Sequence, residues 1–171
     1  MICPNCGNDN LPGSEECGRC QQDLTQLDLP TAQDHVERSL MEDPVGALRP
    51  HQPLTIGPAT TTSQAIRIML DKDIGALLVV DGKGQLVGIF SERDLLMHVA
   101  SNYDSLKDAP VSDFMTPKPE SVTIQDTLAF AVHKMDVGGY RHLPVLTDGR
   151  PSGVISARDM LRHITRLCKE I

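Results

Sequence analysis

Gly153-Val154-Ile155-Ser156-Ala157-Arg158-Asp159 has a twin 65 residues earlier, Gly88-Ile89-Phe90-Ser91-Glu92-Arg93-Asp94. The shared pattern is Gly, two apolar residues, Ser, any residue, Arg, Asp. Both copies run on into similar segments, Leu95-Leu96-Met97-His98 and Met160-Leu161-Arg162-His163, in which even the histidines align. Upstream, Ala65-Ile66 with Met69 matches Ala131-Val132 with Met135, and Ala76–Val80 matches His142–Leu146, now offset by 66. One residue is therefore lost in the intervening turn, Asp81-Gly82-Lys83-Gly84 against Asp148-Gly149-Arg150-Pro151. A period near 65 exceeds that of solenoid repeats and signals a duplicated small domain.

Each copy has one order of elements. A short strand (Leu54-Thr55-Ile56; Val122-Thr123-Ile124) leads into an amphipathic helix. An apolar run, a Gly-containing turn and a second apolar run read as a hairpin. The last helix starts at the repeated Ser, giving β-α-β-β-α twice. Thr62 or Ser63 is expected to cap the first helix, whose buried stripe is Ala65, Ile66, Met69 and Leu70, with Arg67 and Lys72 facing solvent. The corresponding helix of the second copy is expected to start near Asp126 and to end at Gly138-Gly139, since Gly favours a helix C-terminus.

The double Gly-x-x-Ser-x-Arg-Asp resembles the CBS domain, named after cystathionine β-synthase, which usually occurs in tandem pairs. Val111-Ser112-Asp113-Phe114-Met115-Thr116-Pro117 is similar to the "V-x-D-x-M-T-P" lead-in of that family. The resemblance covers roughly residues 44–171 and implies an α/β (α+β) fold, two β-α-β-β-α units packed about a pseudo-twofold axis with two clefts. The expected division is 1–24, 25–43, 44–103 and 104–171. The family also implies a homodimer through the last helices, with Leu95, Leu96, Val99 and Ala100 and Met160, Leu161 and Ile164 as the exposed apolar faces.

Bulk properties fit. Hydrophobic residues make up 40% of the 171 and aromatics only 3%, so the core is aliphatic. No apolar run approaches the length of a membrane span. The start, Met1-Ile2-Cys3-Pro4, lacks the basic region and apolar core of a signal peptide, so a cytoplasmic protein is expected. The net charge is −7 and all of the excess lies in the first quarter. Residues 1–24 set Arg19 against Asp9, Glu15, Glu16 and Asp23; residues 25–43 set Arg38 against Asp28, Asp34, Glu37, Glu42 and Asp43. That is the opposite of a basic nucleic-acid footprint.

Cys3-x-x-Cys6 and Cys17-x-x-Cys20 have the spacing that puts four thiolates around one Zn²⁺, a closed structural set with no open position for catalysis. Gly7 and Gly18 each follow a Cys, as tight knuckles require. With only Ile2, Leu11 and Leu24 as other apolar residues, the segment cannot bury a core, and a metal must hold it together. Disulfides are disfavoured in a chain without a secretion signal, and a redox Cys-x-x-Cys needs a βαβ context that is missing. The segment resembles a small zinc ribbon of the rubredoxin-like type. Between it and the repeats, residues 25–43 are an acidic linker in which Thr31 and Asp34 resemble a capping box, with Val36 and Leu40 on one helical face. Lone Cys168 is expected in the core or an interface.

The chemistry of the repeated motif has two readings. Ser91 with Asp94, and Ser156 with Asp159, have the spacing of a capping box, which alone would make them helix starts and nothing more. Yet a capped helix N-terminus is also an anion site, Arg93 and Arg158 stand beside it, and a carboxylate there can accept both hydroxyls of a ribose, as in dinucleotide sites. In CBS domains this motif is the ribose site of adenine nucleotides. The resemblance implies that Asp94 and Asp159 hold ribose, that Ser91 and Ser156 approach sugar or phosphate, and that backbone at Thr55-Ile56 and Val122-Thr123 lines an adenine slot. It also implies phosphate contacts at Arg141 and His142. The first copy has Gly75-Ala76 there, so the two clefts should differ.

The expected function is a sensing module, not an enzyme. It would bind AMP, ADP or ATP, or S-adenosylmethionine, and act on a separate protein target. No nucleophile–base pair, open metal site or Gly-rich phosphate loop is legible. A zinc-ribbon nucleic-acid regulator and a ligand-free interaction scaffold are the alternatives.

Overall fold

The structure, a computed structural model, describes residues 1–11, 13–25, 32 and 34–169. The chain divides into two units, Met1–Asp34 and His35–Ile171. The capping box expected at Thr31 falls partly outside the described residues.

In the first unit each Cys-x-x-Cys sits on a small hairpin. Cys3 N–H donates to Asn8 O and Gly7 N–H to Cys3 O; Cys17 N–H donates to Gln22 O and Gln21 N–H to Cys17 O. The two turns are copies of each other. In the first, Gly7 takes positive φ, 70°; in the second that role falls to Gln21, φ 58°, and not to Gly18. Leu24 is fully buried against Cys3 and Cys17, with Met1, Cys6 and Cys20 packed around them.

The second unit opens with α1 (His35–Glu42) and a 3₁₀ turn, Val45–Leu48. Then come β1 (Thr55–Ile56), α2 (Thr62–Lys72), β2 (Ala76–Val80) and β3 (Leu86–Ser91). The last helix of the first repeat is broken: α3 (Glu92–Asp94) passes through a π turn at Leu95–Val99 and a 3₁₀ turn at Ala100–Asn102 into α4 (Tyr103–Leu106). The second repeat has a 3₁₀ turn at Val111–Asp113, β4 (Thr116–Pro117), α5 (Leu128–Gly138), β5 (His142–Thr147), β6 (Arg150–Ser156) and one continuous helix, α6 (Ala157–Lys169).

Thr61, rather than Thr62 or Ser63, caps α2 in a reciprocal box with Gln64, because Thr62 is buried with its hydroxyl on Ala109 O. Thr127 caps α5, the same place in the repeat, so the two helices start in register and α5 begins at Leu128 rather than near Asp126. Gly139, φ 62°, ends α5. The strand expected at Val122–Ile124 shrinks to a single parallel bridge, Val122 to Val145. The ladder stops there because Thr123 N–H donates to the Asp126 carboxylate at 2.6 Å and Ile124 O accepts from Gly46 N–H.

The sheets are built by exchange. β1, β2, β3 and β4 form one sheet in that order, so the lead-in of the second repeat pairs with the first repeat's β3 through Gly88–Pro117 and Ile89–Thr116. β5 and β6 form the other, and His51, from the lead-in of the first repeat, bridges Val154 on β6. The cores are exchanged too. Val45 is fully buried with Leu128, Leu143 and Ile155, and Val111 with Leu77, Val79 and Phe90. The crossing strands explain the motif's glycine. A Cβ at Gly88 would overlap Met115 Sδ, and one at Gly153 would lie 2.7 Å from Pro50 Cβ.

Of the apolar faces expected to be exposed, Val99 and Met160 are buried, while Leu96 and Leu161 are open. Leu70, assigned to the buried stripe, is 76% exposed, and Ile68 packs on the core in its place. Cys168 is exposed and not core. Arg67 and Lys72 are exposed as expected. No helix among the described residues is long and apolar enough to cross a membrane.

Gly153→Ala is expected to lower stability by about 1–3 kcal/mol through overpacking against the Pro50 ring. Gly82→Ala, with nothing within 4 Å of the added carbon, should unfold at or above the wild type by at most ~1 kcal/mol. Denaturant unfolding of the two variants checks the difference.

Candidate functional site

Two constellations carry chemistry, one in each unit.

In the first, the Sγ atoms of Cys3, Cys6, Cys17 and Cys20 all lie within 4.8 Å of one another. Cys3 and Cys20 are 3.6 Å apart, as are Cys6 and Cys17. A tetrahedral Zn²⁺ with bonds of ~2.3 Å spaces its sulfurs by roughly 3.8 Å, so the four thiols fit the ion. Arg19 N–H donates to Cys17 Sγ and, with the Cys20 N–H and neighbouring thiols, brings that thiol down to about 6. Cys20 is lowered by the Gln22 N–H and then by Asn5. At Cys6 a favourable Asn8 N–H is outweighed by burial and by the other three thiols, and it is pushed up to about 12. Four thiols this close cannot all ionise without a cation, and a metal relieves that conflict.

In the second unit a cleft of about 710 Å³ lies between the repeats. Its size is that of a small-ligand pocket. Ser156 through Asp159, Arg141 and His142 line one side. On the other, Ile66, Met69 and Leu70 of α2 stand with Leu54 and Ile74 as an apolar wall. This explains the exposure of Leu70. The position equivalent to it on α5 is Asp136.

Asp159, 9% exposed, receives the Ser156 N–H at 2.8 Å and hydroxyl at 2.6 Å on Oδ2. Ser156 Oγ in turn accepts from the Asp159 N–H. The capping box of the sequence therefore forms, and Oδ1 remains for a further partner. That partner is His51 Nε2 at 3.0 Å, from an imidazole 63% exposed. Burial pushes the Asp159 carboxyl up, but the Ser156 and His51 hydrogen bonds outweigh it and hold it below its ordinary value. His142 is lowered, first by burial and then by Arg141 and Arg158, against the pull of Glu92 and Asp159. Among the described residues, the Arg141 and Arg158 guanidiniums have no hydrogen-bond or ion-pair partner.

The Asp94 half is wired differently. Asp94 makes the same box with Ser91, but its Oδ1 accepts from the Thr116 hydroxyl at 3.0 Å. Arg93 donates to Gly139 O at the end of α5, also 3.0 Å. This arginine serves a helix C-terminus, while its counterpart Arg158 lines the cleft. Ser91, Arg93, Asp94, Thr55, Ile56, Val122 and Thr123 do not line the cleft; its backbone edge is His51, Gln52 and Leu54 instead. His51 and Gln52 were missed by sequence reasoning. Aligning Pro50-His51 with Met115-Thr116 of the second lead-in would have pointed to them.

One nucleophile–base contact also escaped the sequence. Ser39 Oγ lies 2.8 Å from His163 Nε2, but it donates to Asp43 at 2.5 Å and is buried. The acid sits on the hydroxyl and not behind the imidazole, so this is a clamp between α1 and α6 rather than an activated serine.

Comparison with known proteins agrees with this architecture. The CBS domain family model matches twice, at residues 40–101 and 111–166. A 17.7 kDa protein of Acidianus ambivalens is 34% identical over 110 residues, 64% of this chain; the chain spans 65% of that protein's length. The CBS-domain protein ATU1752 of Agrobacterium tumefaciens is structurally similar at TM-score 0.64 and 30% identity, over 70% of this chain and 94% of that one. CBSX2, solved in complex with AMP, is similar at TM-score 0.62 and 25% identity, over 73% of this chain and 98% of that one.

The depressed Asp159 carboxyl has a signed consequence. The unfolded chain takes up this proton first, so the stability it contributes is present above the ordinary value of 3.8 and is lost as the pH falls through the lower folded value. Asp159→Asn should flatten that acid limb relative to wild type in unfolding curves taken from about pH 6 to pH 3.

Proposed function

The chain belongs to the CBS-domain family, and we propose that it is a regulatory module that binds an adenine ribonucleotide beside Asp159. The observation that carries this reading is the meeting of three unlike features in one cleft. An apolar wall (Leu54, Ile66, Met69, Leu70) suits a purine. A carboxylate oxygen, Asp159 Oδ1, is covered by an exposed imidazole that a ribose hydroxyl can displace, with the exposed Arg162 guanidinium 3.7 Å away. Arg141 and Arg158, whose guanidiniums have no partner among the described residues, suit phosphate, with His142 lining the same side. The AMP bound by CBSX2, a relative at 25% identity, supports the same ligand class. A ligand that prefers one arrangement of the two repeats shifts their equilibrium, and that shift would be read by a separate protein target.

The cleft beside Asp94 is read as weaker. Arg93 and Oδ1 of Asp94 are already engaged, and Asp136 replaces an apolar side chain. Ser91 and Asp94, with Thr55, Ile56, Val122 and Thr123, are assigned to the helix start and the sheet edges. The assigned domains are 1–24, 25–43, 44–103 and 104–171. Zn²⁺ would be held structurally by Cys3, Cys6, Cys17 and Cys20, making that segment a docking element. Leu96 and Leu161 are the apolar contacts of a homodimer.

Calorimetric titration with AMP, ADP and ATP, and with S-adenosylmethionine as an adenosine lacking phosphate, tests the reading. One nucleotide per chain is expected to bind, Asp159→Ala to abolish binding and Asp94→Ala to leave most of it. Equal losses from the two variants, or no binding, would sink the assignment. For the ribbon, metal analysis should return one zinc per chain, and a strong chelator should unfold residues 1–24 while leaving the unfolding transition of the repeats in place.

A further inference from the structure

Behind the Asp159 carboxylate, on the side away from the apolar wall, lies a second and smaller cavity of about 190 Å³ between the Val45–Leu48 turn and α6. It is lined by Arg49, Arg162, Arg166, His51 and His163, with Asp159 as its one acid. We propose that this cavity is a separate anion site, built for a phosphoryl group.

Four observations support it. The volume is below that of a nucleoside-sized pocket but ample for a tetrahedral anion. Arg162 and Arg166, one turn apart on α6, face the same space as Arg49, which the left-handed turn at φ 53° presents from the other wall. Among the described residues, Arg49 and Arg166 have no hydrogen-bond or ion-pair partner for their guanidiniums. The acid present is already satisfied, by two Ser156 donors and by His51, and stands 3.7 Å from Arg162. Asp43, 3.8 Å from His163 Nε2, is not among the lining residues and already accepts a hydrogen bond from Ser39. Three guanidiniums therefore converge with little internal compensation, in a chain whose formal charge is −7. Planar guanidinium forks are suited to phosphate oxygens.

The cavity shares His51, Asp159 and Arg162 with the larger cleft. An anion here draws His51 and Arg162 towards itself and away from Asp159 Oδ1, the atom assigned to ribose. In that respect the inference rests on the nucleotide reading; the anion site itself does not.

The test uses the zinc-loaded full chain. Binding of inorganic phosphate is followed by the amide and guanidinium NMR signals of α6 and Arg49, with chloride and sulfate at matched ionic strength as controls. Phosphate is expected to shift Arg49, Arg162 and Arg166 saturably, and the Arg49→Gln/Arg166→Gln variant to weaken binding about tenfold or more. Those arginines are exposed, so the fold should survive; Arg49→Lys/Arg166→Lys, which keeps charge but loses the forks, should bind at an intermediate level. Asp159→Asn separates the two assignments, because it should lose AMP yet still take phosphate. If AMP displaces phosphate from wild type but not from Asp159→Asn, the cavity takes the nucleotide's own phosphate. Simultaneous binding of AMP and phosphate means that it takes a free one. Shifts that follow ionic strength alone, or phosphate binding unchanged in the Gln/Gln variant, would overturn the site.

Discussion

Everything in the repeat pair depends on the exchange of lead-in segments. Neither copy of the β-α-β-β-α unit completes its own sheet or its own core. Val45 precedes the first repeat and is buried in the second; Val111 precedes the second and is buried in the first. Thr116–Pro117 and His51 make the matching crossings at the sheet edges. Burying an apolar side chain of this size contributes roughly 1.5–3 kcal/mol, and here each such contribution exists only while both repeats are folded together. The glycine of the repeated motif follows from the same constraint, since the crossing segment passes where its Cβ would be. The exchange also brings His51 and Thr116 onto the two motif aspartates, so the architecture and the candidate site are one arrangement.

The duplication has kept the frame and let the surroundings of the two aspartates diverge. Both aspartates close a capping box with their serine, and both have the second oxygen covered from the crossing segment. What differs is the availability of the surroundings. Around Asp159 the cover is an exposed imidazole with Arg162 3.7 Å away, Arg141 and Arg158 have no partner among the described residues, and the facing helix offers Leu70. Around Asp94 the cover is a threonine hydroxyl, the arginine is tied to Gly139 and the position equivalent to Leu70 is Asp136. Hydrogen bonds already made inside the protein must be broken before a ligand gains from that side, which costs about as much as the new ones return.

Much of this was legible in the sequence, for physical reasons. The internal repeat gave the fold class and the element order, because period-2 and period-3.6 patterns recur in register. The Cys spacing pointed to the thiol cluster, because four thiols on two tight turns can converge in few ways. What the sequence did not reveal was long-range. Leu70 reads as core because helical periodicity cannot tell a core from a cleft wall. Thr62 reads as a cap because Ser and Thr crowd that start, and only burial on Ala109 O distinguishes it from Thr61. Val122–Ile124 reads as a strand, yet Asp126 turns the chain first. Arg93 and Arg158 look alike in sequence, and only tertiary placement shows one bound to a helix end. His51, 108 residues from Asp159, carried no local signal at all.

The central claim is that Asp159 recognises a ribose through Oδ1, in place of the exposed His51 imidazole. It is tested most directly by comparing AMP with its 2′,3′-dideoxy analogue on the wild-type protein, by direct binding at one pH and ionic strength. The account predicts that the dideoxy compound binds at least about tenfold more weakly, the loss of a hydrogen bond to a charged group, and that Asp159→Asn removes the discrimination. Equal affinity for the two compounds would contradict it and leave the repeated Ser-x-Arg-Asp as a helix start alone.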